Sequence, residues 1–296
     1  MAHLDQTPTA QSDVGRLLRV AMKHPKDAFL SQDMIDAQWR ALNFLAPPDF
    51  RDACRQFDRL VRLLEDNGVG VELLAPDDRT GLDSIYTRDA SVPTDRGIVL
   101  CRMGKPLRAG EPEAQAEAFC VLGLEVIGSI EAPGALEGGD LTWLDRRTLV
   151  VGQGYRTNAE GIQQLQALAG AVVDEVITVP LPHWKGPSDV MHLMSLLSPV
   201  DTRLAVVFSP LLPVPFRQIL LERGYGLVEV PEEEFDTMGT NVLAIAPGIV
   251  VVLDGNPRTR AALERAGVHT LAYAGSEISM KGSGGPTCLT RPLERE

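Results

Sequence analysis

The sequence is poor in the patterns that mark secreted, metal-binding and redox proteins. Its 296 residues contain four cysteines, and no two of them have the C-x-x-C spacing of zinc or redox sites. So few cysteines also fall short of a disulfide scaffold, and we expect free thiols in a reducing compartment. The chain has no H-E-x-x-H motif and no Cys/His cluster, so we expect neither a metal nor another cofactor.

Long apolar runs and a surplus of basic residues are also missing. No window approaches the roughly 18 uninterrupted apolar residues that a membrane span needs, and the N-terminus does not resemble a signal peptide. The formal net charge of −12 argues against a nucleic-acid partner and agrees with a cationic small-molecule ligand. We therefore expect a cytoplasmic protein that binds neither membranes nor nucleic acids, and the sequence leaves open whether it forms a homodimer.

What the chain does contain is a repeated unit. Hydrophobic residues make up 44% of the sequence, enough for a sizeable core, and no Pro/Gly/Ser-rich linker divides it. We predict a single domain over residues 1–296, with a flexible segment at 1–15. Two β-rich runs flank a polar turn in each of four segments: SIYTRDASVPTDRGIVLCRM, GALEGGDLTWLDRRTLVVGQG, DVMHLMSLLSPVDTRLAVVFS and GTNVLAIAPGIVVVLDGN.

Helical patterns fill the intervals between these segments. They are predicted at 49–68, 113–122, 157–170, 214–223 and 258–266. A fifth unit is built from LLRVAMKHP near the start, with GPTCLTRPL near the end as its partner strand. Five ββαβ-type modules predict an α/β fold, a closed pseudo-symmetric five-bladed propeller around a central channel, because closure removes exposed strand edges. An open α/β sheet with hairpins is the alternative.

Unusual polar residues recur at matching points of these modules. They are Asp83, Arg88 and Asp89 in the first unit, Glu137, Asp140 and Arg156 in the second, His192 in the third and Cys288 near the end. Carboxylates among apolar strand residues are costly to bury unless they are paired or placed in a cleft. Any one of these residues alone is readily explained as part of a structural ion pair. Matching points of a ring face the same channel, however, so their recurrence favours a shared site.

Five motifs in order carry a resemblance. They are IYTRD at 85–89, LEGGD at 136–140, GYRTN at 154–158, MHL at 191–193 and GGPTCLTRPL at 284–293. The sequence resembles the guanidine-modifying superfamily, or pentein fold, of dimethylarginine dimethylaminohydrolases, arginine deiminases and amidinotransferases. That resemblance implies a five-bladed α/β propeller, in agreement with the repeats.

The resemblance also implies a covalent mechanism. Cys288 attacks the guanidinium carbon, since a thiolate is a better nucleophile than a hydroxyl toward this resonance-stabilised group. His192 protonates the departing amine and later deprotonates the hydrolytic water, and Glu137 orients it. Asp89 pairs with the guanidinium. Asp140 is either a structural residue or a second guanidinium contact.

The same resemblance suggests how the far end of a substrate is held. In the dimethylaminohydrolase pattern, Arg156 and Arg108 bind the α-carboxylate and Asp83 lies near the α-amino group. Arg108 is equally readable as a solvated surface arginine. The KGPSD run at 185–189 precedes His192 and is either a lid or an ordinary surface loop.

Two positions bear on the substrate. Met194 stands where arginine deiminases have a carboxylate, and a thioether wall favours alkylated guanidines. Arg88 stands where dimethylaminohydrolases have an acid, as in deiminases. The first expectation is a methylarginine hydrolase that forms citrulline through a Cys thiouronium intermediate. The alternatives are an arginine deiminase-like hydrolase, an amidinotransferase or a non-catalytic ribosome-binding propeller.

Overall fold

Five small sheets build the protein. The computed structural model describes residues 8–187, 189 and 191–296, and within them fifteen strands form five three-stranded sheets. In every sheet two strands pair antiparallel and the third pairs parallel with the middle one. The predicted α/β fold of five repeated modules is confirmed, and the open-sheet alternative is wrong.

The strands and helices alternate along the chain. The strands are β1 (Leu17–Met22), β2 (Gly70–Leu73), β3 (Ser91–Thr94), β4 (Gly97–Leu100), β5 (Val126–Ser129), β6 (Leu141–Asp145), β7 (Thr148–Gln153), β8 (Glu175–Pro180), β9 (Leu197–Asp201), β10 (Leu204–Val207), β11 (Gly226–Glu229), β12 (Leu243–Ala246), β13 (Ile249–Leu253), β14 (His269–Tyr273) and β15 (Arg291–Arg295). The helices are α1 (Pro25–Ala28), α2 (Gln32–Gln38), α3 (Phe50–Asp66), α4 (Glu111–Val121), α5 (Ala159–Ala169), α6 (Val214–Glu222) and α7 (Pro257–Arg265).

Four modules follow the chain and the fifth joins its two ends. Sheets β3-β4-β5, β6-β7-β8, β9-β10-β11 and β12-β13-β14 each carry one helix between their parallel strands. The fifth sheet has the order β15-β1-β2, so the C-terminal strand takes the place of the first hairpin strand. Its antiparallel register sets Val20 opposite Pro292. The ring is therefore closed by the strand that sequence reasoning assigned to it.

The closing strand is shorter than predicted. Of the segment GPTCLTRPL, only the last three residues belong to β15, which begins at Arg291. Cys288 lies in the turn that precedes it. A turn leaves the thiol free of the sheet's side-chain alternation, so it can face the channel.

The long helix α3 shows how local sequence sets these elements. Asp49 caps it by accepting a hydrogen bond from the backbone N–H of Asp52 at 2.8 Å. Its apolar face is fully buried and consists of Ala53, Phe57, Leu60 and Leu64. The helix stops before Gly68, whose φ of +82° favours glycine.

The hydrophobic core is divided among the modules. One cluster joins the first two modules through residues such as Val99 and Leu149, and another joins the second and third through Val150 and Val207. Because the apolar surface is buried between and beneath the sheets, polar loops are left to line the centre. The part of the chain that the structure describes contains no helix long and apolar enough to cross a membrane.

Part of the N-terminal segment packs against the rest of the protein, and its flexibility stays a prediction. Residues 1–7 lie outside the described residues, whereas Gln11 and Asp13 are buried. Gln11 Nε2 donates to the carbonyls of Arg146 and Val172 at 2.6 and 2.9 Å. These bonds tie Gln11 to the second module.

Asp13 compensates charge in the channel, and replacing it should cost stability. Its carboxylate accepts hydrogen bonds from Arg88 Nη2 at 3.3 Å and from the backbone N–H of Trp143 at 2.7 Å. Burial alone would raise the pKa of Asp13, but Arg88 and Arg295 lower it. Asp13→Asn leaves those buried guanidinium groups uncompensated, so we expect a loss of about 3 kcal/mol in the free energy of unfolding.

Urea denaturation at two pH values measures this effect. A depressed folded pKa gives stability that is present above the ordinary value of 3.8 and lost as the pH falls through the lower folded value. The difference between wild type and Asp13→Asn should therefore shrink in acid. Asp78→Asn, at an exposed turn, is the control, with an expected change within about 0.5 kcal/mol. Equal losses in the two variants would contradict the role of Asp13.

Candidate active site

One loop from each module ends in a polar residue at the centre of the ring. Asp89, Glu137, His192, Asn241 and Cys288 all precede the first hairpin strand of their module. Each is held close to a strand that begins two to five residues later, so the five-fold repetition brings them to one place. The matching points of the modules thus lie around one channel.

A cavity of about 430 Å³ opens at this place. Seven of the nine predicted site residues line it: Asp83, Asp89, Arg108, Arg156, His192, Met194 and Cys288. Glu137 and Asp140 are fully buried behind its wall. The residues that sequence reasoning assembled from distant motifs thus surround one space.

The Cys288 thiol is the nucleophile candidate. Its sulfur accepts a hydrogen bond from Asn241 Nδ2 at 3.4 Å. Burial raises the pKa of the Cys288 thiol, and the nearby charge of Asp89 raises it further. The unliganded site therefore favours the neutral thiol, and a cation bound between Asp89 and the sulfur would favour the thiolate.

His192 and Glu137 form a buried pair. His192 Nε2 lies 2.8 Å from Glu137 Oε2, and Arg156 Nη1 donates to the same carboxylate oxygen at 3.1 Å. Burial favours neutral Glu137, but His192 and Arg156 hold its pKa well below the usual range. For His192, burial lowers the pKa, but Asp89, Asp140 and Glu137 outweigh it and raise the pKa to about 9. The imidazole is thus a proton donor at neutral pH.

Asp89 lines the cavity, and one of its carboxylate oxygens has no hydrogen bond among the described residues. Its Oδ2 accepts from Arg108 Nη1 at 2.6 Å, whereas Oδ1 has no hydrogen-bond partner among the described residues. Oδ1 lies 3.8 Å from His192 Nδ1. A buried carboxylate oxygen without a donor is costly, so this oxygen is suited to a cationic ligand.

Arg108 is buried, so the alternative of a solvated surface arginine is wrong. Its Nε and Nη2 donate to Glu111 at 2.9 and 2.8 Å, and Nη2 also donates to the carbonyl of Tyr86 at 3.1 Å. With Nη1 on Asp89, each of the three guanidinium nitrogens of Arg108 donates to at least one protein acceptor in this structure. Its binding of a substrate carboxylate stays a prediction.

The residues expected at the far end of the substrate are also paired. Asp83 Oδ2 accepts from Lys105 Nζ at 2.5 Å, and the same ammonium donates to the carbonyl of Leu42 at 2.7 Å. Arg156 uses its Nη1 on Glu137 and lies at the cavity wall. Lys105 and Glu111 were missed by sequence reasoning, although both flank Arg108 in the segment GKPLRAGE.

Three further side chains lie in the wall or directly behind it. Asp140 Oδ1 accepts from the backbone N–H of Leu193 at 3.0 Å, which holds the loop that carries His192. Burial raises the pKa of Asp140 to about 6. Met194, 3% exposed, presents its thioether to the cavity. Arg88 Nε donates to the carbonyl of Thr287 at 3.2 Å, next to the nucleophile candidate.

A family model decides the affiliation. The model described as "N,N dimethylarginine dimethylhydrolase, eukaryotic" matches residues 40–295. This chain belongs to that family. An uncharacterized protein of Bacillus subtilis is 31% identical over 81% of this chain and 79% of its own length. The N(G),N(G)-dimethylarginine dimethylaminohydrolase of Pseudomonas aeruginosa is 28% identical over 83% of this chain and 90% of its own length.

Solved structures agree with the family. The dimethylarginine dimethylaminohydrolase of Pseudomonas aeruginosa in complex with citrulline has a TM-score of 0.75 and 25% identity, covering 94% of this chain and 99% of that one. An amidinotransferase from Microseira wollei has a TM-score of 0.77 at 16% identity and covers 97% of both chains, a likeness of fold alone. As a dimethylaminohydrolase family member, this chain is a hydrolase that acts on C–N bonds of guanidino groups.

One group of side chains in this family member has the donor types of a metal site. Single ligand atoms of Asp89, Glu137 and His192 lie within 4.8 Å of one another. Glu137 is already hydrogen-bonded to His192 and paired with Arg156, and Asp89 is paired with Arg108. A cation bound to all three would have to displace the hydrogen bond that orients the imidazole.

The loop before His192 borders the cavity. Trp184 and Lys185 line it, Trp184 packs edge-to-face on Phe235 at 6.1 Å, and Lys185 Nζ lies 3.1 Å from Asp236 Oδ1. These contacts join the 183–187 segment to the 235–236 turn across the cavity. Ser188 and Val190 lie outside the described residues, and the lid role of 183–189 stays a prediction.

Proposed function

We propose that this chain hydrolyses N-methylated arginine to citrulline and methylamine or dimethylamine, with Cys288 as the nucleophile. One observation carries the proposal. Within the described residues, Asp89 Oδ1 is a buried carboxylate oxygen without a hydrogen-bond donor, and Asp89 lines the same cavity as Cys288 and His192. A planar guanidinium supplies both the N–H donors and the positive charge that this position needs.

The reaction proceeds in two balanced steps. The Cys288 thiolate attacks the guanidinium carbon, the C–N bond to the methylated nitrogen breaks, and His192 gives that nitrogen a proton. This leaves a Cys thiouronium intermediate. His192 then takes a proton from water, whose oxygen attacks the same carbon. The C–S bond breaks as the remaining O–H proton of this adduct passes to solvent water, so citrulline is released and the Cys288 thiolate is regenerated.

The neighbouring charges support this order of reaction steps. The substrate guanidinium brings a positive charge between Asp89 and the sulfur, which lowers the raised pKa of the thiol. Glu137 stabilises the protonated imidazole that the first step consumes. In the bonds described above, Arg156 donates to Glu137 through Nη1 alone. We therefore favour Arg156 over Arg108 as the ligand for the carboxylate at the far end of the substrate.

Product analysis tests the proposal. We expect citrulline from asymmetric dimethylarginine at a higher kcat/KM than from arginine. Citrulline from arginine alone would replace the proposal with an arginine deiminase activity. Transfer of the amidino group to an added amine, without citrulline, would replace it with an amidinotransferase. If neither asymmetric dimethylarginine nor arginine reacts, the proposed hydrolysis is refuted.

Met194→Asp should shift the substrate preference. A carboxylate at this position would accept hydrogen bonds from an unmethylated guanidinium nitrogen, whereas a methylated nitrogen would leave its oxygens unpaired. We expect the ratio of kcat/KM for asymmetric dimethylarginine to that for arginine to fall by about tenfold or more. Steady-state kinetics with both substrates measures the ratio.

Met194→Leu is the matched control for that variant. Leucine keeps an apolar side chain of similar volume at a 3% exposed position, so the ratio should stay within about threefold of wild type. If Met194→Asp and Met194→Leu have the same ratio, Met194 does not face the methylated nitrogen.

A further inference from the structure

Asn241 occupies the matching point of the fourth module, which the reaction described above does not use. It is 6% exposed, lines the cavity and lies two residues before β12. The matching points of the other four modules carry Asp89, Glu137, His192 and Cys288. The fold thus delivers a fifth polar side chain to the same centre.

The orientation of the Asn241 amide is fixed by its neighbours. The backbone N–H of Thr287 lies 3.0 Å from Asn241 Oδ1, and the Thr287 hydroxyl donates to the same oxygen at 2.8 Å. Because a backbone N–H can only donate, the atom facing it must be the carbonyl oxygen. The NH₂ group therefore points the other way, and it lies 3.4 Å from Cys288 Sγ.

The Thr287 hydroxyl is a weaker partner of the sulfur than the Asn241 amide. It lies 4.0 Å from the sulfur, but its hydrogen is directed to Asn241 Oδ1. Gly285 leaves room for the arrangement, because a Cβ there would stand 2.4 Å from Asn241 Oδ1. The segment 285–287 thus anchors one end of the amide so that the other end can face the sulfur.

We propose that Asn241 is a further catalytic residue. Its Nδ2–H group stabilises the Cys288 thiolate before the sulfur attacks the guanidinium carbon and again when the C–S bond breaks. This inference rests on the proposed role of Cys288 as the nucleophile. Burial and Asp89 both oppose ionisation of the thiol, and the hydrogen bond from Asn241 acts against them. Hydrogen bonds to ionised groups are stronger than neutral ones, so the bond strengthens when the thiolate forms.

Asn241→Asp tests the inference with little change of shape. One carboxylate oxygen keeps the bonds to Thr287, and the other replaces the donor with a negative charge beside the sulfur. The apparent thiol pKa should rise by at least one unit, and kcat/KM should fall by about 10²-fold or more. The pH dependence of Cys288 alkylation by iodoacetamide, followed by peptide mass spectrometry, gives the thiol pKa without turnover.

Asn241→Ala and a distant control complete the design. The alanine variant removes the donor without adding charge, so its thiol pKa should rise less than that of Asn241→Asp, and it serves alone if the aspartate variant does not fold. Asn67→Asp makes the same charge change at an exposed site and should leave the thiol pKa as in wild type. Circular dichroism melts identify any variant that is merely unfolded.

The outcomes separate this inference from the proposed function. If Cys288 is alkylated in wild type and the thiol pKa is unchanged in both Asn241 variants, the role of Asn241 is refuted while the nucleophile stands. If wild-type activity survives complete alkylation of Cys288, the nucleophile assignment itself fails. A raised pKa in both variants, with the larger rise in Asn241→Asp, supports the inference.

Discussion

Cys288→Ser is expected to abolish turnover, with kcat lower by about 10⁴-fold or more. The serine hydroxyl is a far weaker nucleophile than a thiolate toward a resonance-stabilised guanidinium, and it needs a neutral base to remove its proton. His192, already hydrogen-bonded to Glu137, stays protonated at neutral pH because its pKa is raised to about 9. Citrulline formation from asymmetric dimethylarginine measures the loss.

Covalent labelling identifies the nucleophile independently of turnover. A chloroacetamidine carries the charged amidinium that Asp89 is suited to bind, so it should label Cys288 and leave Cys288→Ser unmodified. Cys120→Ser is the matched control, because Cys120 is exposed and lies on helix α4, and it should keep both labelling and activity. Persistent labelling of Cys288→Ser at Cys54, Cys101 or Cys120 would overturn the assignment of the nucleophile.

The three cysteines other than Cys288 differ in how well the sequence predicts their burial. The sequence places Cys54, Cys101 and Cys120 on apolar helix or strand faces, a position that predicts small core residues. Cys101 is buried as expected, and burial raises its pKa well above the ordinary value. Cys120 is exposed. Only one face of α4 packs against the protein, and Cys120 lies on the face that remains in solvent. A short helix with weak amphipathic contrast does not reveal which face is buried.

The ring was predictable because repetition strengthens a weak pattern. Each pair of β-rich runs, such as those around 91–100, is ambiguous alone, but four such pairs separated by helical patterns leave few ways to bury every apolar face. The missing hairpin partner of β1 then had to come from the C-terminus. The first residue of the closing strand was less predictable, since Thr290 and Arg291 give no local signal for where pairing starts.

The pairing of charges was not predictable. Sequence motifs indicated Asp83 and Arg108 as substrate ligands, yet Asp83 is held by Lys105 and Arg108 lies between Asp89 and Glu111. Such ion pairs depend on side-chain reach across loops that are distant in the chain. The turn at Pro106–Arg108 brings these charges together, and its three residues carry no periodic pattern.

Arg88 shows why a matching motif does not fix a role. The motif IYTRD indicated a choice between deiminase and dimethylaminohydrolase, but the Arg88 guanidinium reaches Asp13 from the N-terminal segment and the carbonyl of Thr287. It thereby connects the first module to the turn that holds Cys288. We infer that Arg88 helps to position this turn whether or not the substrate guanidine is methylated.

His192→Gln should lower kcat/KM by about 10²- to 10⁴-fold and change its pH dependence. Glutamine can still donate to Glu137 but cannot protonate the departing amine. In wild type the pKa of His192 is raised to about 9, so the proton donor is present below that pH and kcat/KM should decline above it. The residual activity of His192→Gln should lack this decline, which a pH–rate profile with asymmetric dimethylarginine shows.

The same proton has a thermodynamic signature. Because the folded pKa of His192 lies above the ordinary 6.5, its interactions with Glu137 and Asp89 add stability that is fully present below pH 6.5 and lost as the pH rises through about 9. The stability difference between wild type and His192→Gln should therefore narrow over that interval. His269→Gln, at an exposed position, should show no such trend. A pH-independent difference, together with an unchanged basic limb of kcat/KM, would mean that His192 orients the substrate without transferring a proton.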